Sequence, residues 1–211
     1  MSGGQPPTRQ IVLVPGVLAL LPQYAGIEDP VADLRAAARE AVTWALNGPA
    51  QAGPALNGPA LTGPAEALTQ PGEQFPEVAV VASCDSARRV GAYLVESAGG
   101  LAVPAPAGGV TSAPQSRPIL LVGNGSATRT EKAPGHLHPQ AAAFDDRLDA
   151  LLRAADHAGL AALDRALAAE VWADVAVLIE AAECLRGAEL VGVDYDDDPF
   201  GVCYRVMRWQ V

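Results

Sequence analysis

Three short apolar runs, each ended by glycine, proline or small polar residues, set the main constraint on how this chain folds. They span residues 9–14 (RQIVLV), 77–83 (EVAVVAS) and 119–122 (ILLV). Runs of this length that are rich in valine, isoleucine and leucine are typical of buried strands. Residues 29–45 and 86–98, which follow the first two runs, repeat apolar side chains at helical spacing. The alternation predicts β-to-α units that build a parallel sheet.

The C-terminal part of the sequence adds a helical layer and a hairpin to this plan. Residues 140–155, 160–170 and 171–186 are predicted as helices, and residues 189–195 and 201–209 as an antiparallel pair of strands. Alternation in the last strand places Cys203, Arg205, Met207 and Trp209 on one face. We therefore predict an α/β fold of three layers (α/β/α) around a mixed, mainly parallel sheet. The 211 residues suit one domain, residues 1–211.

Two segments depart from this pattern because they are rich in glycine and proline. Residues 47–74 contain Gly-Pro pairs that begin at 48, 53, 58 and 63, and the pentapeptide LNGPA occurs twice, from Leu46 and from Leu56. Proline has no amide donor and glycine has no side chain, so neither sustains a helix or a sheet. We predict a low-complexity insertion at 47–74 and little regular structure at 99–118.

Composition excludes several functional classes. A formal net charge of -10 disfavours nucleic acid and anionic lipid as partners. The longest apolar run, residues 11–21, is too short to cross a bilayer, and the N-terminus lacks the order of a secretion signal. We expect a cytoplasmic protein without a membrane segment. Cys84, Cys184 and Cys203 are far apart and odd in number, which favours reduced, buried thiols over disulfides.

Candidate binding residues follow the predicted strands, because ligands of open α/β sheets bind beyond the carboxyl ends of the strands. The exits of the second and third runs provide the polar and charged side chains of a predicted crevice for a small anionic ligand: Asp85, Asn124, Ser126, Arg129, Glu131 and Lys132. Residues 123–125 lack the third glycine of a dinucleotide fingerprint, since Thr128 occupies its place. Ser126 lacks the flanking glycines of a hydrolase nucleophile elbow.

Histidines and a cluster of aspartates offer an alternative site for a metal. His136 and His138 point to the same side of an extended backbone, as two ligands would, and the third would come from Asp194 or one of Asp196 to Asp198. The aspartates do not follow the order of an EF-hand, and a hairpin turn capped by carboxylates is the simpler interpretation. His157 is predicted to cap the C-terminus of a helix.

Several segments of the chain carry a family resemblance. They are residues 121–129 (LVGNGSATR), 131–135 (EKAPG), 144–145 (FD), 160–167 (LAALDRAL) and 195–204 (YDDDPFGVCY). Together they resemble a divergent actinobacterial branch of the class III extradiol ring-cleavage dioxygenase family. The resemblance covers the C-terminal half, and the N-terminal half shares only the order of elements. In the wider superfamily it implies a ferrous ion held by two histidines and a carboxylate.

The residues that the resemblance requires for iron are absent from their expected places. Pro15-Gly16 stands where the first histidine belongs, Asn124 stands in place of an aspartate, and Ala127 in place of a histidine. The leading hypothesis is therefore a non-catalytic or repurposed member without a cofactor that binds a small ligand. The alternative is a non-haem Fe(II) enzyme whose site has moved to His136 and His138. A third hypothesis is a homodimer formed through the helical layer or the strand that carries Trp209.

Overall fold

Six strands form one mixed sheet in the computed structural model, which describes residues 8–26, 29–48, 75–106 and 110–211. The strands are β1 (Gln10–Val14), β2 (Glu77–Ala82), β3 (Leu101–Pro104), β4 (Ile119–Val122), β5 (Glu189–Asp197) and β6 (Tyr204–Gln210). Their order in the sheet is β3-β2-β4-β1-β6-β5. The first four run parallel to one another, and β6 is antiparallel to both β1 and β5. The predicted mixed, mainly parallel sheet is confirmed.

Helices cover both faces of this sheet. They are α1 (Ala32–Asn47), α2 (Asp85–Ser97), α3 (Ala141–Arg153), α4 (His157–Ala161), α5 (Arg165–Glu170) and α6 (Ala176–Glu180). The apolar faces of α1 and α2 pack with Val12 and Val14 of β1 on one side. The apolar faces of α3 to α6 pack with Ile11 and Leu13 on the other side. Alternate residues of β1 thus enter opposite cores, as a strand buried on both faces requires.

The structure corrects several boundaries that the sequence predicted. Strand β3 lies within residues 99–118, where little regular structure was expected, and pairs with β2. The segment 160–170 is split into α4 and α5, with Asp164 capping the start of α5. The predicted helix 171–186 is reduced to α6 and a 3-10 turn, Ala182–Leu185. His157 begins α4 instead of capping a C-terminus, so that prediction was wrong.

The fold bears on two further predictions from the sequence, the homodimer and the insertion at 47–74. Strand β6 is paired on both sides and Trp209 is fully buried, so the Trp209 strand offers no free edge for a homodimer. Dimerisation through the helical layer stays a prediction. In the insertion predicted at 47–74, residues 49–74 lie outside the described residues. Within the described ranges, no helix combines the length and the apolar character that crossing a membrane requires.

Candidate functional site

The exits of β1, β2 and β4 meet at the carboxyl edge of the sheet, where the sequence predicted a crevice. The Asn124 side-chain oxygen accepts a hydrogen bond of 2.9 Å from the Gly16 backbone N–H and so joins two exits. The segment before α6 lies across them, because the Asn124 N–H donates to the Asp174 carbonyl at 3.0 Å. Ser83 also donates to the Asp174 carboxylate at 2.8 Å. Burial raises the pKa of Asp174, and the Ser83 hydrogen bond partly offsets that shift.

Cys84 is exposed at this edge, although the sequence predicted that all three thiols are buried. It is the N-cap residue of α2, and its sulfur lies 3.1 Å from the Ser86 hydroxyl. The hydrogen bond from Ser86 and the backbone N–H of Ala87 lower the pKa of Cys84. Burial has the opposite effect on the other two thiols, raising the pKa of Cys184 and bringing the pKa of Cys203 to about 12. Cys84 is the thiol that should react first.

Iodoacetamide is therefore expected to alkylate Cys84 alone in the folded protein. Because hydrogen bonds favour its thiolate, the rate should reach half its maximum at a lower pH than in a peptide spanning residues 80–90. Mass spectrometry of tryptic fragments measures both the site and the rate. Labelling of Cys203 at a comparable rate, or a higher pH midpoint for Cys84 than for the peptide, would contradict this assignment.

A buried carboxylate organises the loop that follows β4. Asp145, near the start of α3, is fully buried and accepts hydrogen bonds from the Ser126 backbone N–H at 2.8 Å and the Ser126 hydroxyl at 2.5 Å. A guanidinium nitrogen of Arg129 lies 3.2 Å from the same carboxylate, and Arg129 Nε lies 2.7 Å from Asp198. Gly125 makes this approach possible, since a Cβ there would lie 2.6 Å from Asp145 Oδ1. Asp145 thus fixes Ser126 and orients Arg129.

Arg129 is one wall of a pocket of about 320 Å³ between α3 and the turn that joins β5 to β6. We call it the acidic pocket; its walls are formed by Arg129, Asp146, Asp149, Asp196, Asp197, Asp198, Cys203 and Arg205. Backbone hydrogen bonds pair Gly125 and Ser126 with Cys203, which sets the loop after β4 beside the start of β6. The acidic pocket therefore lies at the carboxyl edge of β1 and β4, on the side of the sheet covered by α3.

Arg205 is the most unusual group in the acidic pocket. It projects from β6 toward α3 and its side chain is 7% exposed. Its Nε lies 3.3 Å from Asp149 and 3.1 Å from Asp196, and Nη2 makes a long hydrogen bond to the Asp145 carbonyl. Its Nη1 is buried and has no hydrogen-bond partner among the described residues. A buried donor without a partner costs about 1–3 kcal/mol, so this nitrogen favours an acceptor that the protein itself does not provide.

Negative charge dominates the walls of the acidic pocket. Five carboxylates face two guanidinium groups, which leaves an excess of three negative charges. Asp149 and Asp196 each lie between Arg205 and Arg153, and Asp198 pairs with Arg129. Asp146 and Asp197 make no ion pair in the part of the chain that the structure describes. Two carboxylates are thus left for a cation or a hydrogen-bond donor.

The structure does not bring the six predicted binding residues into one crevice. Asp85 is exposed and pairs with Arg88 at the start of α2, while Asn124 joins the strand exits. Ser126 is fully buried against Asp145, so it cannot line a surface. Glu131 and Lys132 are exposed on the loop. Of the six, only Arg129 lines the acidic pocket.

The two histidines of the alternative metal site lie on the outer part of the same loop. His136 is exposed and has a left-handed backbone, with φ of 57°. His138 lies 3.9 Å from Glu170 at the end of α5. Of the aspartates proposed as a third ligand, Asp194, Asp196 and Asp198 instead pair with arginines. No group of three potential ligands forms among the described residues, and the relocated Fe(II) site stays a prediction.

Arg205, Asp146 and Asp149 were not predicted from the sequence as residues of a site. A signal for Arg205 was present, because strand alternation placed it on the same face as the apolar Met207 and Trp209. A charged side chain on a core-facing position of a strand needs buried partners. The spacing of Asp145 and Asp149 along a helix places both on one face, where they can supply those partners.

Comparisons with known proteins leave the family open. A scan against protein-family models gave no match, and a search of curated proteins gave none either. The likeness to class III extradiol ring-cleavage dioxygenases therefore remains the prediction that the sequence motifs support.

Proposed function

We propose that the protein is a divergent, non-catalytic or repurposed member of the class III extradiol dioxygenase superfamily that binds a small molecule in the acidic pocket. The motifs at residues 121–129, 131–135 and 195–204 support the family assignment. The α/β sheet, with loops gathered at the carboxyl ends of its strands, is compatible with that scaffold. We include a cytoplasmic location in the proposal, which the three free cysteines support.

The loss of ring-cleaving chemistry is supported by what occupies the strand exits. At the exit of β1 the backbone N–H of Gly16 is bound by Asn124, and at the exit of β4 Ala127 has no donor atom in its side chain. The Asp174 segment crosses the same exits and engages Ser83 and Asn124. The polar atoms that could bind a metal or a catechol here are occupied by hydrogen bonds within the protein. These hydrogen bonds hold the strand ends and the Asp174 segment together, which is a structural role.

The observation that carries the binding proposal is the buried Nη1 of Arg205, which has no hydrogen-bond partner in the described part of the chain. Arg205 lines the acidic pocket, and rotation of its last torsions would present this donor to a ligand oxygen. The volume of about 320 Å³ lies at the lower end of the range for ligand pockets. A molecule of a few non-hydrogen atoms that bears an oxygen acceptor is therefore the class of ligand we propose.

A thermal-shift screen of small carboxylates, amino acids and amines tests this proposal. A ligand at 100 times its Kd should stabilise the native state by about 2.7 kcal/mol and raise Tm. The shift should fall in Arg205→Met, which removes the donor, and in Asp146→Asn, whose exposed side chain has no ion pair in the described structure to lose. Lys132→Ala, on the outer loop, should keep the full shift.

Two outcomes would overturn the assignment of the pocket. One is the absence of stabilisation by every compound class in the screen. The other is a shift that survives in both Arg205→Met and Asp146→Asn but is lost in Asn124→Ala, which would place the ligand at the strand exits. Arg205→Met also removes a buried charge and can therefore change the stability of the fold itself. Asp146→Asn changes an exposed side chain and tests ligand binding without that effect.

A further inference from the structure

We infer that the ligand of the acidic pocket is a small zwitterion of the amino acid class, with a protonated amine and a carboxylate attached to the same carbon. The inference rests on the proposed function and names the ligand class for the same site. The sequence predicted an anionic ligand because of the positive charges of Arg129 and Lys132. In the structure, aspartates surround Arg129 and offset its charge, so a simple anion is no longer favoured.

The need for a positive charge follows from the balance of the pocket walls. A simple anion would enter a pocket with three more carboxylates than guanidinium groups, which opposes its binding. Asp146 and Asp197 lie on these walls without an arginine partner in the described structure. Asp197 uses one oxygen to accept the Asp198 backbone N–H, and its other oxygen is left for a ligand. An ammonium group provides three donors that such carboxylates can accept.

The need for an acceptor on the same molecule follows from Arg205. Its Nη1 is buried and has no hydrogen-bond partner among the described residues, whereas the side chains of Asp146 and Asp197 are exposed. A bare amine would satisfy the exposed carboxylates and leave this donor unpaired. A ligand carboxylate directed toward Arg205, with its amine directed outward, satisfies both ends with charge-assisted hydrogen bonds.

Three matched compounds separate these contributions. L-Alanine carries both groups, ethylamine lacks the carboxylate, and propionate lacks the amine. In isothermal titration at pH 7, we expect alanine to bind at least about tenfold more tightly than ethylamine, as one lost charged hydrogen bond implies. Propionate should bind most weakly of the three. Added salt should weaken the binding of ethylamine, because its contacts lie at the exposed rim.

Variants identify which end of the ligand each residue binds. Asp146→Asn should weaken the binding of alanine and ethylamine and strengthen that of propionate, whereas Arg205→Met should reduce the affinity for alanine to that for ethylamine. Glu96→Gln on α2 is the matched control, since it removes one exposed negative charge on the opposite face of the sheet. It should not change the affinity for any of the three.

The outcomes separate the inference from the function on which it depends. Tighter binding of propionate than of alanine at the acidic pocket would overturn the zwitterion and leave the proposed binding function standing. Equal binding of alanine and ethylamine would also overturn it, because Arg205 would then contribute nothing. If none of the three compounds bound, and the thermal-shift screen were also silent, both the ligand class and the binding function would be lost.

Discussion

Replacing Asp145 with alanine is expected to lower the free energy of unfolding by about 3–5 kcal/mol. The substitution removes the acceptor of two Ser126 hydrogen bonds and one of the two carboxylates that pair with Arg129. Ser126 is fully buried, so its N–H and hydroxyl would have no water to replace the carboxylate. Urea denaturation followed by circular dichroism measures the loss.

The neighbouring residue provides the control for this prediction. Asp146→Ala removes the same chemical group one position along α3, but its side chain is exposed and makes no ion pair among the described residues. It should change stability by no more than about 0.5 kcal/mol. A loss below about 1 kcal/mol for Asp145→Ala, or similar losses for both variants, would show that Asp145 does not organise the loop.

Trp209→Ala should lower the free energy of unfolding by a similar amount, about 3–5 kcal/mol, because it removes a large buried side chain from the core. Trp209 is fully buried on β6, where it lies opposite Ile11 of β1. Its indole N–H donates to the Leu152 carbonyl at the end of α3, at 3.1 Å. Alanine would leave a cavity between the sheet and α3 and would remove one of the hydrogen bonds that the Leu152 carbonyl accepts. Urea denaturation with an unchanged m-value would assign the loss to the native core.

A second, exposed tryptophan is the control that shows whether the loss of stability depends on burial. Trp172 is 60% exposed on the loop before α6. Trp172→Ala removes the same side chain with little apolar area to lose and should cost below about 1 kcal/mol. Equal effects at the two positions would be inconsistent with a core built between α3 and β6.

The strands were predictable because their signals are local. Strands β1, β2 and β4 combine β-branched or leucine residues with a glycine, proline or polar stop, and each lies where the apolar run was found. Strand β3 has only the four residues LAVP and includes Pro104. It exists because it pairs with β2, and that tertiary contact leaves no local pattern to detect.

Helix boundaries in the C-terminal half depend on left-handed backbone conformations at residues whose type does not predict them. Ala155 and Trp172 both have left-handed backbones, with φ of 47° and 55°. These conformations end a helical path, but neither alanine nor tryptophan signals them in a sequence, as glycine would. Asp164 did carry a signal, since an aspartate before an apolar helical stretch is a typical N-cap.

The sequence predicted a site at this edge of the sheet, and of its six residues only Arg129 lines the acidic pocket. The rule that ligands bind beyond the carboxyl ends of strands led to the loop after β4 and to Arg129. Which groups then face Arg129 depends on the pairing of residues 125–129 with 201–203, a long-range contact that has no sequence signature. The acidic character of the pocket follows from that pairing, because it brings Asp198 and the β5 to β6 turn against α3.

Mapping a bound ligand onto the protein tests the central claim most directly. In a titration of ¹⁵N-labelled protein with L-alanine, two-dimensional amide spectra should shift at Arg129, Asp146, Asp197 and Arg205, which surround the acidic pocket. Amides at Gly16, Cys84 and Asp174 should stay in place. Shifts confined to those three strand-exit positions, or spectra that do not change at millimolar alanine, would contradict a binding site at the acidic pocket.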